Sequence, residues 1–291
     1  MSWSVGYLLG VDTMKIIDFR ARPNTPEYMT YFETPGKRER QEQKLGFAVP
    51  GTQTLEAFMS DVDAAGISTI VFTGRDNKSL TGWSIPNDFI ADIAQRYPGR
   101  VIGMAGIDPM KPRSATLPEI ERAVKKLGLR GVSLDVSRCQ MGPNDRRLYP
   151  IYERCIALDV PVIFTMGPAA GGRAYLKWNS PLLVDEVAVD LPELKMVCAH
   201  AGWPFTQDMI AVAYRHENVY FDNSAYHFMP GADLLIEAAN TIIGDKMLFA
   251  TAFPFNPLKV IVERFVQLPF QPDVLENVLH RNAARLLKLD Q

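Results

Sequence analysis

Short β-rich apolar runs recur along this chain at intervals of roughly 30 residues, with helical patterns between them. They occupy 15–19, 68–73, 101–107, 130–134, 160–164, 195–199, 219–222 and 247–250. Most are almost wholly apolar rather than alternating, as expected for parallel strands buried on both faces. One interval, 118–128, places Ile120, Ala123, Val124 and Leu127 on a single helical face, with Pro118 near its start and Gly128 after its end. Eight strands alternating with helices predict an α/β protein, a closed (β/α)8 TIM barrel, with a doubly wound open sheet as the lesser alternative. At 291 residues the chain fits one such barrel, read as a single domain over 1–291. Residues 1–13 are read as an N-terminal extension without function, and 24–50 as a long loop after the first strand that covers the mouth or meets another subunit. A homo-oligomer is therefore expected.

The charge balance bounds the partners. Lys plus Arg number 31 and Asp plus Glu 33, a net charge of −2 without long like-charge runs. Nucleic acid and anionic membranes are not expected partners, and a small anionic metabolite is. No stretch reaches the ~20 apolar residues that span a bilayer, and no signal peptide is recognisable. Three cysteines, Cys139, Cys155 and Cys198, lack metal-knuckle spacing and fit a reducing cytoplasm.

In a barrel, chemistry sits where the strands end at their C-terminal tips. Those positions hold Asp18, Arg20 and Arg22; Arg75, Asp76 and Asn77; Ser133 and Asp135; Thr165; His200; Asp222, Asn223 and His227; and Thr251. Arg20 and Arg22, two residues apart, share a strand face and are expected to point into one space. Guanidinium is a permanent cation that only donates, so the pair suits a carboxylate and cannot ligate a metal. Internal ion pairs, for instance to Asp18 or Asp135, compete with that role for Arg20, Arg22 and Arg75. His200 is either a general acid/base or a buried His tying its loop to the barrel. Cys198 is read as a packed thiol ahead of a Cys-His pair. Asp135 and Asp222 are read as partners of mouth arginines, or as a base or an orienter of His200. In Gly171-Gly172-Arg173, glycine-rich backbone would cradle an anion or hinge a lid.

Several segments together resemble the amidohydrolase superfamily. They are Ile17-Asp-Phe-Arg-Ala-Arg22, Val160-Pro-Val-Ile-Phe-Thr-Met-Gly167, Ala199-His-Ala-Gly-Trp-Pro204, Val219-Tyr-Phe-Asp-Asn-Ser-Ala225, Phe249-Ala-Thr-Ala-Phe-Pro-Phe255 and Val278-Leu-His-Arg-Asn-Ala-Ala-Arg-Leu-Leu287. The likeness is to the branch containing aminocarboxymuconate semialdehyde decarboxylase, resorcylate-type decarboxylases and pyrone-dicarboxylate lactonase. It implies a barrel whose zinc-type site uses an opening His-x-His, histidines on strands 5 and 6 and an Asp after strand 8. At those positions stand Arg20, Arg22, Thr165, His200 and Ala252. One imidazole cannot supply the three or four ligands of a catalytic zinc, so neither metal nor cofactor is expected at that site. A relocated set, His200 with His227 and Asp222, stays open. The expected function is a hydrolase or lyase of a small carboxylated substrate, a lactone or ring-cleavage acid. Arg20, Arg22 and Arg75 would hold carboxylate, His200 would be the general acid/base, and Asp222 or Asp135 would orient it. The alternative is a catalytically silent barrel that binds a metabolite or serves as a partner subunit.

Overall fold

In the computed structural model, eight parallel strands run in the order β1 to β8: Ile17–Ala21, Thr69–Thr73, Val101–Gly106, Val132–Leu134, Val162–Thr165, Met196–Ala199, Val219–Asp222 and Met247–Leu248. Residues 14–30, 39, 42–44, 46–82, 84–168 and 174–289 are described. The extension 1–13, half of the charged stretch 37–44 and the Gly-Gly-Arg segment therefore lie outside the described residues. Backbone bonds from Phe19 N to Phe249 O (2.8 Å) and from Ala252 N to Arg20 O (2.9 Å) join the chain beyond β8 to β1. They close the expected barrel, and the open-sheet alternative falls away. Among the described residues, no helix is long and apolar enough to cross a membrane.

The apolar strands divide their side chains between two cores. Ile17, Phe19, Val71, Met104, Ile163, Val197 and Leu248 fill the barrel interior, closed below by Ala283, Leu286 and Leu287 of the last helix, Asn282–Leu287. Phe72, Leu134, Phe164, Cys198 and Phe221 pack outward under the helical shell. This is why the runs do not alternate in polarity: both faces are buried. Cys198 belongs to the outer core, and burial raises its thiol pKa, so the Cys-His nucleophile is not formed.

Local chemistry sets the helix ends. Thr54 caps Leu55–Ala64 by accepting from the Ala57 amide (3.2 Å). The helix read at 118–128 runs from Arg113 to Lys125, with Pro118 inside it rather than at its start. Pro118 cannot donate to Ser114, but Ser114 lies exposed, where water replaces the missing bond. Residues 24–50 are not wholly loop, since Pro26–Thr30 forms a short helix that buries Tyr28 beneath the mouth.

Candidate active site

The strand tips converge on a desolvated, strongly charged centre. The β1–β2 register slips between Asp18 and Ala21, breaking strict alternation just where Arg20 must reach the interior. Arg20 is 1% exposed, and its Nη2 donates to Thr165 Oγ1 at the tip of β5 (2.8 Å). Its Nε and Nη1 are buried without a hydrogen-bond partner. Arg22 Nε donates to the Thr73 carbonyl at the end of β2 (3.2 Å), and its Nη2 is likewise unpartnered. Burial pulls the Arg22 pKa down to about 9, against Tyr28, and with Arg75 and Arg20 adding to the fall. It lowers Arg20 too, which Asp222 opposes and Arg75 reinforces. A guanidinium keeps its charge near neutral pH even so.

Neither guanidinium takes part in an internal ion pair among the described residues. Asp18 accepts from the Arg20 backbone amide (3.1 Å), not its side chain, and from the amide and hydroxyl of Thr251 (2.9 and 2.5 Å). It thus staples β1 to the segment after β8. Burial pushes the Asp18 carboxyl up to about 6 despite these bonds.

Arg75 and Asp135 do pair. Arg75 Nε lies 2.8 Å from Asp135 Oδ2, Arg138 Nε lies 3.4 Å from it, and Asn77 Nδ2 donates to it at 2.9 Å. Burial raises the Asp135 carboxyl, but Arg75, Arg138 and the Asn77 hydrogen bond outweigh it and hold it well below the usual carboxylate range. A carboxylate so held is a poor proton acceptor. Of the two readings of Asp135, partner of mouth arginines or base and orienter of His200, this geometry matches the first, a counter-charge for Arg75 and Arg138.

His200 directly follows β6 in a left-handed stretch, with φ of 66° at His200, 49° at Ala201 and 61° at Gly202. Such backbone is strained for residues with a Cβ and clusters at functional sites. Asp222 Oδ1 anchors it by accepting from the His200 amide (3.2 Å), the Ser224 amide (3.0 Å) and the Ser224 hydroxyl (2.5 Å). Asp222 Oδ2 is buried with no partner. The imidazole Nδ1 meets Ser224 O at 2.7 Å and Ser224 Oγ at 3.0 Å. Tyr226 lies edge-on to the ring and stacks on Trp203. Burial lowers the His200 pKa, and the Arg20 and Arg22 charges lower it further against Asp222 and the Ser224 bond. The imidazole is neutral at pH 7.

The metal that the resemblance implies does not fit this donor set. Arg20, Arg22 and Thr165 occupy ligand positions, two of them are cations that only donate, and Arg20 already donates to Thr165. No group of three or more His, Cys, Asp or Glu poised for a metal occurs among the described residues. The relocated His200, His227 and Asp222 set does not assemble either: His227 Nε2 bonds Ala250 O (2.7 Å), and its ring packs among Phe228, Phe249 and Phe265. Burial pulls the His227 pKa down to about 4. Its folded value lies below the unfolded ~6.5, so its contribution is intact above pH 6.5 and lost as pH falls towards 4, by up to about 3 kcal/mol. Asp18 runs the other way: raised to about 6, it makes the fold less stable as pH climbs from about 4 to 6. Replacing His227 by Phe is therefore expected to flatten the fall in urea midpoint between pH 6.5 and 4. An unaltered slope would refute the assignment.

A protein-family model described as amidohydrolase matches residues 17–289. The chain belongs to the amidohydrolase family. It is 35% identical to an uncharacterised TIM-barrel protein from Bordetella bronchiseptica, whose crystal structure matches with a TM-score of 0.86 over 94% of this chain and 99% of that one. It is 24% identical over 280 residues to 2-amino-3-carboxymuconate-6-semialdehyde decarboxylase of Dictyostelium discoideum, covering 83% of this chain and 77% of the relative. It is 26% identical over 204 residues to 2-keto-4-carboxy-3-hexenedioate hydratase of a Sphingobium strain, covering 56% of this chain and 58% of that enzyme.

Ser224 and Tyr28 were not singled out as site residues by sequence, and Thr165 was placed at the tip of β5 without a role. Thr165 and Ser224 carry neutral hydroxyls, and only the fold shows what they touch.

Proposed function

We propose that this amidohydrolase is a hydrolase or lyase of a small carboxylated substrate, held by Arg20 and Arg22, with His200 as the general acid/base anchored through Asp222. The observation that carries this reading is the set of buried, unpartnered guanidinium N–H groups on Arg20 and Arg22. Each unsatisfied buried donor costs about 1–3 kcal/mol, more when charged, and a bound carboxylate removes that cost. The fork of a guanidinium matches the lone pairs of a carboxylate, and the water-poor surroundings strengthen the contact.

The same grip bears on the type of reaction. Decarboxylation requires the carboxylate to give up its negative charge as carbon dioxide leaves, and two guanidiniums stabilise that charge where it is. Addition or elimination of water next to a retained carboxylate is the better match, lactone opening included. In the forward direction His200 takes a proton from water as its oxygen bonds to carbon. The negative charge developing on the conjugated oxygen falls under the Arg N–H groups, and His200 then returns the proton. The two enzymes compared above are both named for carboxylated compounds, one a decarboxylase and the other a hydratase.

Calorimetric titration with a panel of small mono- and dicarboxylates tests the reading. Arg20→Met is expected to weaken the best binder about 100-fold, because a charge-assisted pair in a dry site is lost. His200→Asn is expected to keep binding and lose turnover of any substrate found. Equal affinities for the wild type and Arg20→Met would remove the hypothesis.

A further inference from the structure

We infer that Ser224 is the positioning residue that fixes which nitrogen of His200 carries the proton, relaying the charge of Asp222 to the imidazole. The inference rests on the reading of His200 as the proton-transfer group and names the atom that does it.

Hydrogen-bond direction leaves one consistent arrangement. Ser224 O, 2.7 Å from Nδ1, can only accept. The Ser224 hydroxyl has one proton, and Asp222 Oδ1 at 2.5 Å is an acceptor that claims it. The hydroxyl therefore offers Nδ1, 3.0 Å away, a lone pair rather than a proton. Nδ1 faces two acceptors and must be the protonated nitrogen. Nε2 then carries the lone pair, and it has no hydrogen-bond partner among the described residues. When Nε2 takes a proton, the positive charge on the ring is met by the Ser224 carbonyl and, through the Ser224 hydroxyl, by Asp222.

Asp222 does not touch the imidazole; its direct hold on His200 is through the backbone amide (3.2 Å). Ser224 is completely buried, and its own amide donates to the same carboxylate oxygen. The hydroxyl rotor is thus fixed at both ends, so the ring cannot exchange tautomers without breaking the bond to Asp222.

The test reads protons directly. In wild-type protein labelled with 15N-histidine, and with His200→Gln to assign the signal, long-range 1H–15N correlation is expected to show His200 protonated on Nδ1 at pH 7. A proton on Nε2 would overturn the inference whatever the variants do. Ser224→Ala should move the Nδ1–H resonance upfield, speed its exchange with water, and lower the His200 pKa by about one unit, measured in saturating benzoate or, if benzoate does not bind, in the free protein. Ser224→Thr keeps the hydroxyl and should restore all three. An Ala variant with an unchanged Nδ1–H signal and titration would reduce Ser224 to a loop residue. If Ser224→Ala does not fold, Asp222→Asn is read in the same way, with loss of the pure Nδ1–H pattern expected. Failure of every carboxylate to bind would instead count against the proposed function and leave the tautomer result standing.

Discussion

Arg22→Met is expected to make the protein more stable and a poorer binder at once. Arg22 is 2% exposed, donates to one backbone carbonyl, shares a side-chain hydrogen bond with Tyr28, and lies within the fields of Arg20 and Arg75. Desolvating an ion costs several kcal/mol, of which each hydrogen bond to a charged donor returns about 1.5–3 kcal/mol. Two neighbouring cations add repulsion. Methionine replaces the aliphatic stem, stops short of the guanidinium head and needs no partner. The net gain should be about 1–3 kcal/mol, a rise in thermal midpoint of roughly 2–9 °C for a domain of this size. Affinity for small carboxylates should fall about 30-fold or more, because the unpartnered Nη2 that would meet the ligand is gone. Arg22→Lys separates charge from shape: it should recover part of the binding while giving none of the added stability. Thermal melts and titrations on the three proteins check both halves. A lower midpoint in Arg22→Met would mean that the Arg22 charge is already compensated, and the argument for an anion at this place would lose its basis.

That such a conflict between stability and function could be anticipated from sequence follows from where the arginines stand. Residues 15–19 announce a strand by composition, and the polar positions just beyond it must emerge at the barrel mouth, so Arg20 and Arg22 were legible as site residues. The same reasoning located His200, Asp222 and Asp135, since each ends an apolar run. Partnership was not legible. The contact of Arg75 with Asp135 joins the ends of β2 and β4, and nothing in local sequence distinguishes it from a pairing of Asp135 with Arg20. Arg138 reaches the same carboxylate because a 3-10 turn over Val136–Cys139 follows β4 directly, a local geometry that Val-Ser-Arg-Cys does not advertise. Ser224 was hidden for another reason. A serine two residues after a strand-end Asp reads as an ordinary turn residue, and its role depends on β6 lying beside β7 so that His200 comes within reach. Pro118 misplaced a helix start because proline is most familiar in the first turn, while here solvent exposure of Ser114 makes a later position tolerable.

Asp135→Ala should be the most destabilising single change at the mouth. The carboxylate is 3% exposed, and it neutralises Arg75 at 2.8 Å and Arg138 at 3.4 Å while accepting from Asn77. Deleting one member of a buried ion pair costs about 3–5 kcal/mol, because the remaining charge stays desolvated. Here two guanidiniums lose that carboxylate, which places the expected loss at the upper end, roughly 10 °C or more in thermal midpoint. The catalytic reading of Asp135 makes the opposite forecast: turnover would vanish with the midpoint unmoved. A double-mutant cycle decides between them. Arg75→Met in the Asp135→Ala background should restore about half of the loss, since it removes the cation left exposed to the low-dielectric interior. Strict additivity of the two substitutions would show that Arg75 and Asp135 do not sense one another, and the assignment of Asp135 as their counter-charge would fail. Coupling of about 2 kcal/mol or more would fix Arg75 and Asp135 as scaffold, leaving Arg20 and Arg22 as the cations available to a ligand.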